Sequence, residues 1–281
     1  MKQIQWFPGH MTKALRMMED NLKLVDGAVC VLDARAPFAC FNKRLISVFN
    51  NKPVLYLINK TDLISAEDKS VIAEKLKARG IKFLFTVGTE QRDMKAVYNV
   101  VTEMFSEKLQ AKKERGVNKT LRFMVCGVPN TGKSTVINSL AGKKQAQTGD
   151  KAGVTKGKQW IRLNGLELLD TPGTMPPSFE NQTYAHHLAY IGSINDDILD
   201  IESLCLDFIE ELSAKNDLAL SERYGVDIKG EPLEIFDAIC KSRGYFLRGG
   251  ESDYTRCAKA VLDDFRKGRL GKICLETEPV A

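Results

Sequence analysis

The sequence lacks the features that would point to a membrane protein, a secreted protein or a zinc protein. No apolar run approaches the roughly 18 residues that a membrane-spanning helix requires. The seven cysteines contain no CxxC pair and several lie in apolar runs, so free thiols in a reducing compartment are favoured over disulfides or a metal site. The first residues show neither the apolar core of a signal peptide nor the Arg- and Ser-rich pattern of a transit peptide. We therefore expect a soluble, cytoplasmic protein without a membrane anchor.

The composition is that of a globular protein, but its charge is unevenly distributed. Hydrophobic residues make up 43% and charged residues 27%, and 281 residues suffice for two domains. Residues 1–179 hold 29 Lys and Arg against 16 Asp and Glu, whereas residues 180–281 hold 12 against 20. A cationic surplus of this size is typical of nucleic-acid contact, although solvation explains many such surpluses.

The apolar pattern predicts an α/β domain over residues 1–178 and an all-helical domain over residues 179–281. In the first domain, buried-strand patterns alternate with helical ones, which is typical of a mostly parallel sheet covered on both faces. After about Ser178, apolar positions recur at helical spacing. The predicted strands are Gly27–Leu32, Pro53–Ile58, Lys82–Phe85, Leu121–Cys126, Gln159–Leu163 and Glu167–Leu169, the last two forming a hairpin. The predicted helices between them are Leu45–Asn50, Ala66–Arg79 and Asp93–Leu109.

Residues 127–134 carry the pattern Gly-x4-Gly-Lys-Ser between a predicted strand and a predicted helix, which is the context of a phosphate-binding P-loop. In such a loop backbone N–H groups surround the phosphates, Lys133 reaches the β- and γ-phosphates, and the Ser134 hydroxyl ligates Mg²⁺. We assign Lys133 to catalysis as well as to binding. The predicted nucleotide contacts of this loop are Asn130, Thr131, Gly132, Lys133, Ser134 and Thr135.

Two further segments complete the predicted phosphate site. Asp170-Thr171-Pro172-Gly173 follows an apolar run, where a Walker-B carboxylate reaches Mg²⁺ and where Gly173 offers its N–H to the γ-phosphate. Thr155 lies in a Gly- and Lys-rich loop between the P-loop and this motif. Taken alone, either segment would be a turn or a loop, but their place after the P-loop favours a magnesium site. Its predicted ligands are Ser134, Thr155 and Asp170.

Asn59-Lys60-Thr61-Asp62 follows a predicted strand and has the pattern of a guanine-recognition motif. The Asp62 carboxylate accepts hydrogen bonds from the N1–H and the amino group of guanine, whereas adenine leaves it unpaired. The stem of Lys60 would pack over the ring, and Asn59 would either hold the neighbouring loop or reach the base edge. With the phosphate motifs, this predicts GTP and GDP as ligands.

The base motif precedes the phosphate motifs in this chain, whereas in ordinary GTPases it follows them. The sequence therefore predicts a circularly permuted P-loop GTPase domain built on the same sheet. A linker must then join the former chain ends, and the Lys-rich segment 107–120 lies where that linker is needed.

These residues in this order resemble the circularly permuted ribosome-assembly GTPases, and most closely the YlqF family, also called ribosome biogenesis GTPase A. The resemblance covers nearly the whole chain, including residues 6–11, the motif Asp33-Ala34-Arg35-x-Pro37 and residues 243–271. It implies GTP hydrolysis in late maturation of the large ribosomal subunit, stimulated by the particle. It also implies a C-terminal domain similar to ANTAR-type RNA-binding domains. We expect a monomer off the ribosome.

The resemblance also supplies catalytic roles that the motifs leave open. The family tends to place a hydrophobic residue where Thr174 stands, and no glutamine follows Gly173 to orient the attacking water. From its spacing alone, Pro8-Gly9-His10 is a capped helix start, but the family carries its catalytic histidine at the position of His10. Asn130 matches the asparagine that helps related GTPases hold K⁺, a cation that would neutralise developing charge. The resemblance therefore implies catalytic roles for His10 and Asn130.

A cationic cluster near the C-terminus is the candidate contact with ribosomal RNA. Within residues 241–272 nine cations stand against four acids, and the cations are Lys241, Arg243, Arg248, Arg256, Lys259, Arg266, Lys267, Arg269 and Lys272. Tyr245, Phe246 and Tyr254 are interleaved with them and would stack on unpaired bases, unless they belong to the core. His186 and His187, in a helical pattern, are interpreted as packing or domain-contact residues.

Other functions remain open at this point. The chain could be a GTP-dependent RNA-binding module with little hydrolysis, or an organellar ribosome-assembly GTPase. An ATP-dependent kinase is disfavoured because the motif at residues 59–62 is built for guanine.

Overall fold

The chain forms two compact units. The computed structural model describes residues 4, 9–49, 52–106, 120–142, 159–163, 165–175, 179–215 and 218–277. The sheet unit comprises Trp6–Ser178 and Cys274–Ala281, and the helical unit comprises Met1–Gln5 and Phe179–Ile273. The predicted linker falls almost entirely outside the described residues.

Both ends of the chain differ from the predicted domain bounds of 1–178 and 179–281. Ile4 belongs to the helical unit, because its N–H donates to Gln182 Oε1 at 2.8 Å. Cys274–Ala281 belongs to the sheet unit, because the Leu275 N–H donates to the Arg35 carbonyl at 2.8 Å. Each contact joins residues that are far apart in the sequence, so no local pattern reveals it.

Among the described residues, a six-stranded sheet forms the centre of the sheet unit, with the order β3-β2-β1-β4-β6-β5. The strands are β1 Gly27–Asp33, β2 Val54–Asn59, β3 Phe83–Thr86, β4 Leu121–Cys126, β5 Gln159–Leu163 and β6 Leu166–Asp170. All neighbouring strands are parallel except β5 and β6, which form an antiparallel hairpin. The predicted mostly parallel sheet is therefore confirmed, with small shifts at the strand ends.

Helices pack on this sheet and bury its central strands. The described helices of the unit are α1 Gly9–Asn21, α2 Lys43–Phe49, α3 Ala66–Ala78, α4 Gln91–Glu103 and α5 Lys133–Ala141. Strand β1 is buried along its whole length, as expected of a parallel strand covered on both faces. On one face Val29 and Val31 lie in an apolar cluster with Val97 of α4 and Val136 of α5. This packing fixes where the strands end.

The carboxyl ends of the parallel strands meet at one edge of the sheet, and these ends are Asp33, Asn59, Thr86 and Asp170, with β4 running into Gly127. Asp33 is in register with Asn59, and Asn59 with Thr86. Ligands of open α/β sheets bind outside this edge. The topology therefore brings the base motif and the phosphate motifs together, whatever their order in the chain.

The helical unit contains α6 Gln182–Tyr190, α7 Ile201–Ala214, α8 Ala219–Tyr224, α9 Pro232–Arg243 and α10 Tyr254–Arg266. Helix α7 packs against α9 and α10, and the Phe208 ring lies 4.9 Å from the rings of both Tyr190 and Phe265. The predicted helical second domain is confirmed. Across the described parts of both units, no helix has the length and apolarity to cross a membrane.

Candidate nucleotide site

The P-loop runs from the end of β4 to the start of α5 and needs its two glycines for space. Gly127 has a φ of 141°, and a Cβ there would lie 2.3 Å from the Val31 carbonyl oxygen. Gly132 has a φ of 95°, and a Cβ there would lie 2.3 Å from Asn59 Nδ2. Any side chain at either position would collide with a neighbouring strand end. The loop is therefore held directly against β1 and the base motif.

Lys133 begins α5, and its side chain is buried in the loop. Its Nζ donates to the Val128 carbonyl at 2.8 Å. Burial lowers the pKa of Lys133, and the attraction of Asp170 opposes that shift. Ser134 and Thr135 follow in the first helical turn and are half-buried. The lysine and the first N–H groups of α5 therefore lie together at a helix start, which is an arrangement that favours anions.

Asp170 ends β6 as a buried carboxylate. Neither oxygen has a hydrogen-bond donor at normal geometry among the described residues. Burial raises the pKa of Asp170, while Lys133 and a weaker contribution from the Thr171 backbone oppose the shift. A buried carboxylate without a hydrogen-bonding partner suits a hard cation, which is the role that the sequence predicts for it.

Asn59 joins the base motif to the P-loop. Its Nδ2 donates to the Thr131 carbonyl at 2.9 Å, and its Oδ1 accepts from Thr86 Oγ1 at 3.3 Å. The side chain is buried, so both ends of the amide face protein groups. Of the two roles that the sequence left open for Asn59, these contacts match the one in which it holds the neighbouring loop.

Lys60 makes a second joint between the two motifs. Its backbone is left-handed, with a φ of 64°, and its Nζ donates to the Asn130 carbonyl at 2.6 Å. The same ammonium lies 2.8 Å from Asp33 Oδ2. Burial would raise the pKa of Asp33, but Arg35 and Lys60 together hold it well below its usual range. The motif Asp33-Ala34-Arg35 carries part of the family resemblance, but nothing in the sequence predicts the contact of Asp33 with Lys60.

Asp62 lies one turn beyond, in the 3₁₀ segment Thr61–Leu63, and its side chain is exposed. The Thr61 hydroxyl donates to the Thr86 carbonyl at 3.3 Å, which anchors this turn to the end of β3. Gly88 follows β3, and a Cβ there would lie 3.2 Å from Asn59 Oδ1. The segment after β3 therefore lies beside the base motif.

The segment after Asp170 crosses the P-loop. A Cβ on Gly173 would lie 2.8 Å from the Pro129 nitrogen, and the Thr174 N–H donates to the Gly127 carbonyl at 3.2 Å. Thr174 is fully buried, and its hydroxyl has no hydrogen-bond partner within the described part of the chain. Its hydroxyl is therefore not exposed to solvent in this structure. A hydrophobic residue, which the resemblance implies for this position, would also fit such a buried site.

Two predicted site residues cannot be placed. Thr155 lies outside the described residues, and so does the side chain of His10. His10 is the second residue of α1, which begins at Gly9. The helix start that the spacing suggested is therefore present, and the catalytic role of His10 stays a prediction.

The cations of residues 241–272 fall into two groups. Several are paired within the helical unit, namely Lys241 with Asp237, Arg266 with Asp196, Lys267 with Asp263, and Arg269 with Asp263 and Asp264. Arg256 stacks on Tyr245, with 4.9 Å to the ring centroid. Phe246, by contrast, is 45% exposed, beside the exposed Arg248. The predicted aromatic surface is thus reduced mainly to the turn between α9 and α10.

The two histidines of α6 have structural partners. His186 Nε2 lies 3.2 Å from Asp207 Oδ2, and His187 Nε2 lies 3.1 Å from Glu211 Oε1. Both rings are buried in the helical unit, which agrees with their interpretation as packing residues.

The comparisons with known proteins extend over nearly the whole chain. The model of the family described as 50S ribosome-binding GTPase matches residues 122–224. Ribosome biogenesis GTPase A from Priestia megaterium is 39% identical over 272 residues, which cover 95% of this chain and 94% of the relative. Mitochondrial ribosome-associated GTPase 1 from Ictalurus punctatus is 31% identical over 96% of this chain and 92% of its own. The crystal structure of GNP-bound YlqF from T. maritima matches with a TM-score of 0.64 at 26% identity, over 94% of this chain and 97% of that one.

The matched regions cover both the sheet unit and the helical unit, and they confirm the resemblance that the motifs suggested. The chain is a GTP-hydrolysing enzyme of ribosome assembly. It belongs to the family of Ribosome biogenesis GTPase A.

Proposed function

We propose that this GTPase acts in late assembly of the large ribosomal subunit and that the maturing particle stimulates its hydrolysis of GTP. The observation that carries the nucleotide-binding part of the proposal is the contact between the base motif and the P-loop. Lys60 Nζ lies 2.6 Å from the Asn130 carbonyl, and Asn59 Nδ2 lies 2.9 Å from the Thr131 carbonyl. One nucleotide can therefore span both motifs. The relatives and the family model carry the ribosome in their names, which supports the partner.

The base end of the site is assigned to guanine. The exposed carboxylate of Asp62 would accept both hydrogen bonds from the guanine edge, and the stem of Lys60 would cover the ring. Because the Lys60 ammonium is already held by the Asn130 carbonyl and Asp33, little side-chain entropy is lost when the base binds. GTP and GDP would share this contact, since the base is the same in both.

The phosphate end is assigned to Lys133, the backbone N–H groups of residues 130–135 and Gly173. Ser134 and Asp170, with Thr155, would hold Mg²⁺, which supplies charge neutralisation on the phosphates. The buried carboxylate of Asp170, which has no hydrogen-bond donor at normal geometry among the described residues, fits that cation. Lys133 would exchange its bond to the Val128 carbonyl for one to phosphate oxygen.

The catalytic assignment goes beyond these contacts. His10 would orient the attacking water, which is the role that the resemblance to the family implies for it. Asn130 would help hold K⁺, and an amide oxygen is the chemical type of ligand that suits such a cation. The exposed turn around Phe246 and Arg248 in the helical unit would contact ribosomal RNA. The protein would be a cytoplasmic monomer when off the particle.

Steady-state phosphate release tests this proposal. We expect slow hydrolysis by the free protein, and a marked increase when immature large subunits are added in KCl rather than NaCl. Small subunits at the same concentration serve as the control particle. If GTP binds but immature large subunits leave hydrolysis unchanged, the chain is a GTP-dependent binding module and the proposed stimulation is wrong.

A further inference from the structure

The last described segment of the chain, Cys274–Thr277, lies against the loop that follows β1. The Leu275 N–H donates to the Arg35 carbonyl at 2.8 Å, and the Cys274 thiol donates to the Ala34 carbonyl at 3.5 Å. Both partners belong to the motif Asp33-Ala34-Arg35. The contacts therefore connect the end of the described chain to a loop at the carboxyl edge of the sheet.

Glu276 makes the strongest of these contacts. Its carboxylate accepts from the Phe38 N–H at 2.5 Å and from the Ala39 N–H at 3.0 Å, and the residue is 2% exposed. Hydrogen bonds from N–H groups to an ionised carboxylate are about twice as strong as neutral ones, and burial protects them from competing water. On the other side of the segment, Lys75 Nζ donates to the carbonyls of Glu276 and Thr277 at 3.3 Å. The turn at residues 36–40 is thus clamped by a residue from the other end of the sequence.

The same loop holds Asp33. The Arg35 guanidinium donates to both oxygens of Asp33, at 2.9 and 2.8 Å, and the Arg35 N–H donates to Asp33 Oδ1 at 3.1 Å. Asp33 in turn binds the Lys60 ammonium at 2.8 Å and is fully buried. The Asp33 carboxylate has a defined position, because it is buried and bound by both Arg35 and Lys60, whereas the Lys60 side chain itself is 26% exposed. A shift of the loop would therefore be transmitted to Lys60.

We propose that Glu276 is a positioning residue of the guanine site, which fixes the loop at residues 34–39 and, through Asp33, the stem of Lys60. The inference rests on the proposed contact of Lys60 with the base. Glu276 does not belong to the predicted nucleotide contacts, so its effect on affinity must pass through Lys60. Glu276 lies three positions after Ile273, where the helical unit ends, and belongs to the sheet unit.

The first test uses the full chain with Glu276→Gln, which keeps the shape of the side chain but removes its charge. We expect affinity for fluorescent GDP and GTP analogues to fall roughly 3- to 10-fold, with faster dissociation, because weakened clamping lets Lys60 move. Glu74→Gln, at an exposed position of α3, is the matched control and should leave affinity unchanged. Thermal unfolding of each variant checks that the fold persists, and Glu276→Asp replaces Glu276→Gln if the latter does not fold.

A double-mutant cycle with Lys60→Ala separates positioning from general destabilisation. If Glu276 acts through Lys60, Glu276→Gln will have no further effect on affinity in the Lys60→Ala background. Independent, additive losses would overturn the proposal, and so would wild-type affinity in Glu276→Gln when Lys60→Ala is weakened. Wild-type affinity in Lys60→Ala alone would overturn the assignment of Lys60 to the base, and with it the role of Glu276.

Discussion

Charged side chains are used differently at the edge of the sheet and in the helical unit. At the edge, burial lowers the pKa of Lys133 and raises the pKa of Asp170, so it disfavours the charged form of each. Asp170 also accepts no hydrogen bond of normal geometry from a described residue. In the helical unit Arg266 is bound by both oxygens of Asp196 and by the carbonyls of Ala189 and Tyr190. A charge whose own protein leaves it poorly compensated indicates a ligand. A charge with several protein partners stabilises the fold.

The largest expected effect is that of Lys133→Ala. Loss of the P-loop ammonium should weaken GTP and GDP binding by more than about 10³-fold, because several charge-assisted bonds to phosphate disappear together. The unliganded protein should keep its thermal stability, since burial already disfavours the charged lysine. Equilibrium nucleotide titration and calorimetry measure both, with the exposed Lys77→Ala as control. Wild-type affinity would remove Lys133 from the phosphate site.

Asp62→Asn should change the choice of base. We expect GTP affinity to fall by about 10²-fold and affinity for xanthosine triphosphate to rise, because an amide donates to the extra carbonyl of xanthine. Competition binding with both nucleotides measures the change, and Asp20→Asn at an exposed position of α1 is the control. An unchanged preference would show that the base lies elsewhere along the edge.

His10→Ala tests the catalytic assignment. Turnover stimulated by immature large subunits should fall by roughly 10²-fold, the usual scale for a group that acts on the attacking water, while GTP affinity stays nearly constant. Lys13→Ala, exposed on the same helix, is the control. Equal turnover by His10→Ala and wild type on the particle would leave His10 as part of a helix start.

Two arginines of the helical unit, Arg266 and Arg248, should differ in what their loss changes. Arg266→Gln should destabilise the protein by about 2–4 kcal/mol, because Asp196 and two carbonyls lose their partner. Arg248→Gln should change stability by less than about 0.5 kcal/mol but weaken binding to ribosomal RNA and reduce its salt dependence by about one unit of slope. Chemical unfolding and RNA titrations at several salt concentrations measure the two. The reverse pattern would show that Arg248 stabilises the fold and that Arg266 contacts RNA.

The parts that the sequence predicts well are those whose geometry is local. The strands ending at Asn59 and Asp170 are bounded by apolar runs and turn residues, and the P-loop glycines adopt φ angles of 141° and 95° that other residues rarely adopt. Short-range sterics therefore carry both the secondary structure and the type of ligand. Circular permutation was predictable for the same reason, because each motif remains intact within itself.

The parts that the sequence does not predict depend on contacts between distant residues. Glu276 accepts hydrogen bonds from Phe38 and Ala39 across 238 and 237 positions, and no spacing rule connects them. The charge count over residues 241–272 also misleads, because it ignores which cations are bound by neighbouring acids. Arg269 is one of these bound cations. Pairing is a property of the folded surface, and composition alone cannot supply it.

The Asn59 side chain has a consequence for how such a chain can evolve. Its amide bridges the end of β3 and the loop after β4, so the two halves of the site are joined by hydrogen bonds rather than by the covalent backbone. A gene rearrangement that moves the termini leaves those bonds untouched. Natural selection on nucleotide binding therefore acts on the shape of the sheet edge. It does not depend on the order in which a ribosome synthesises the segments that form this edge.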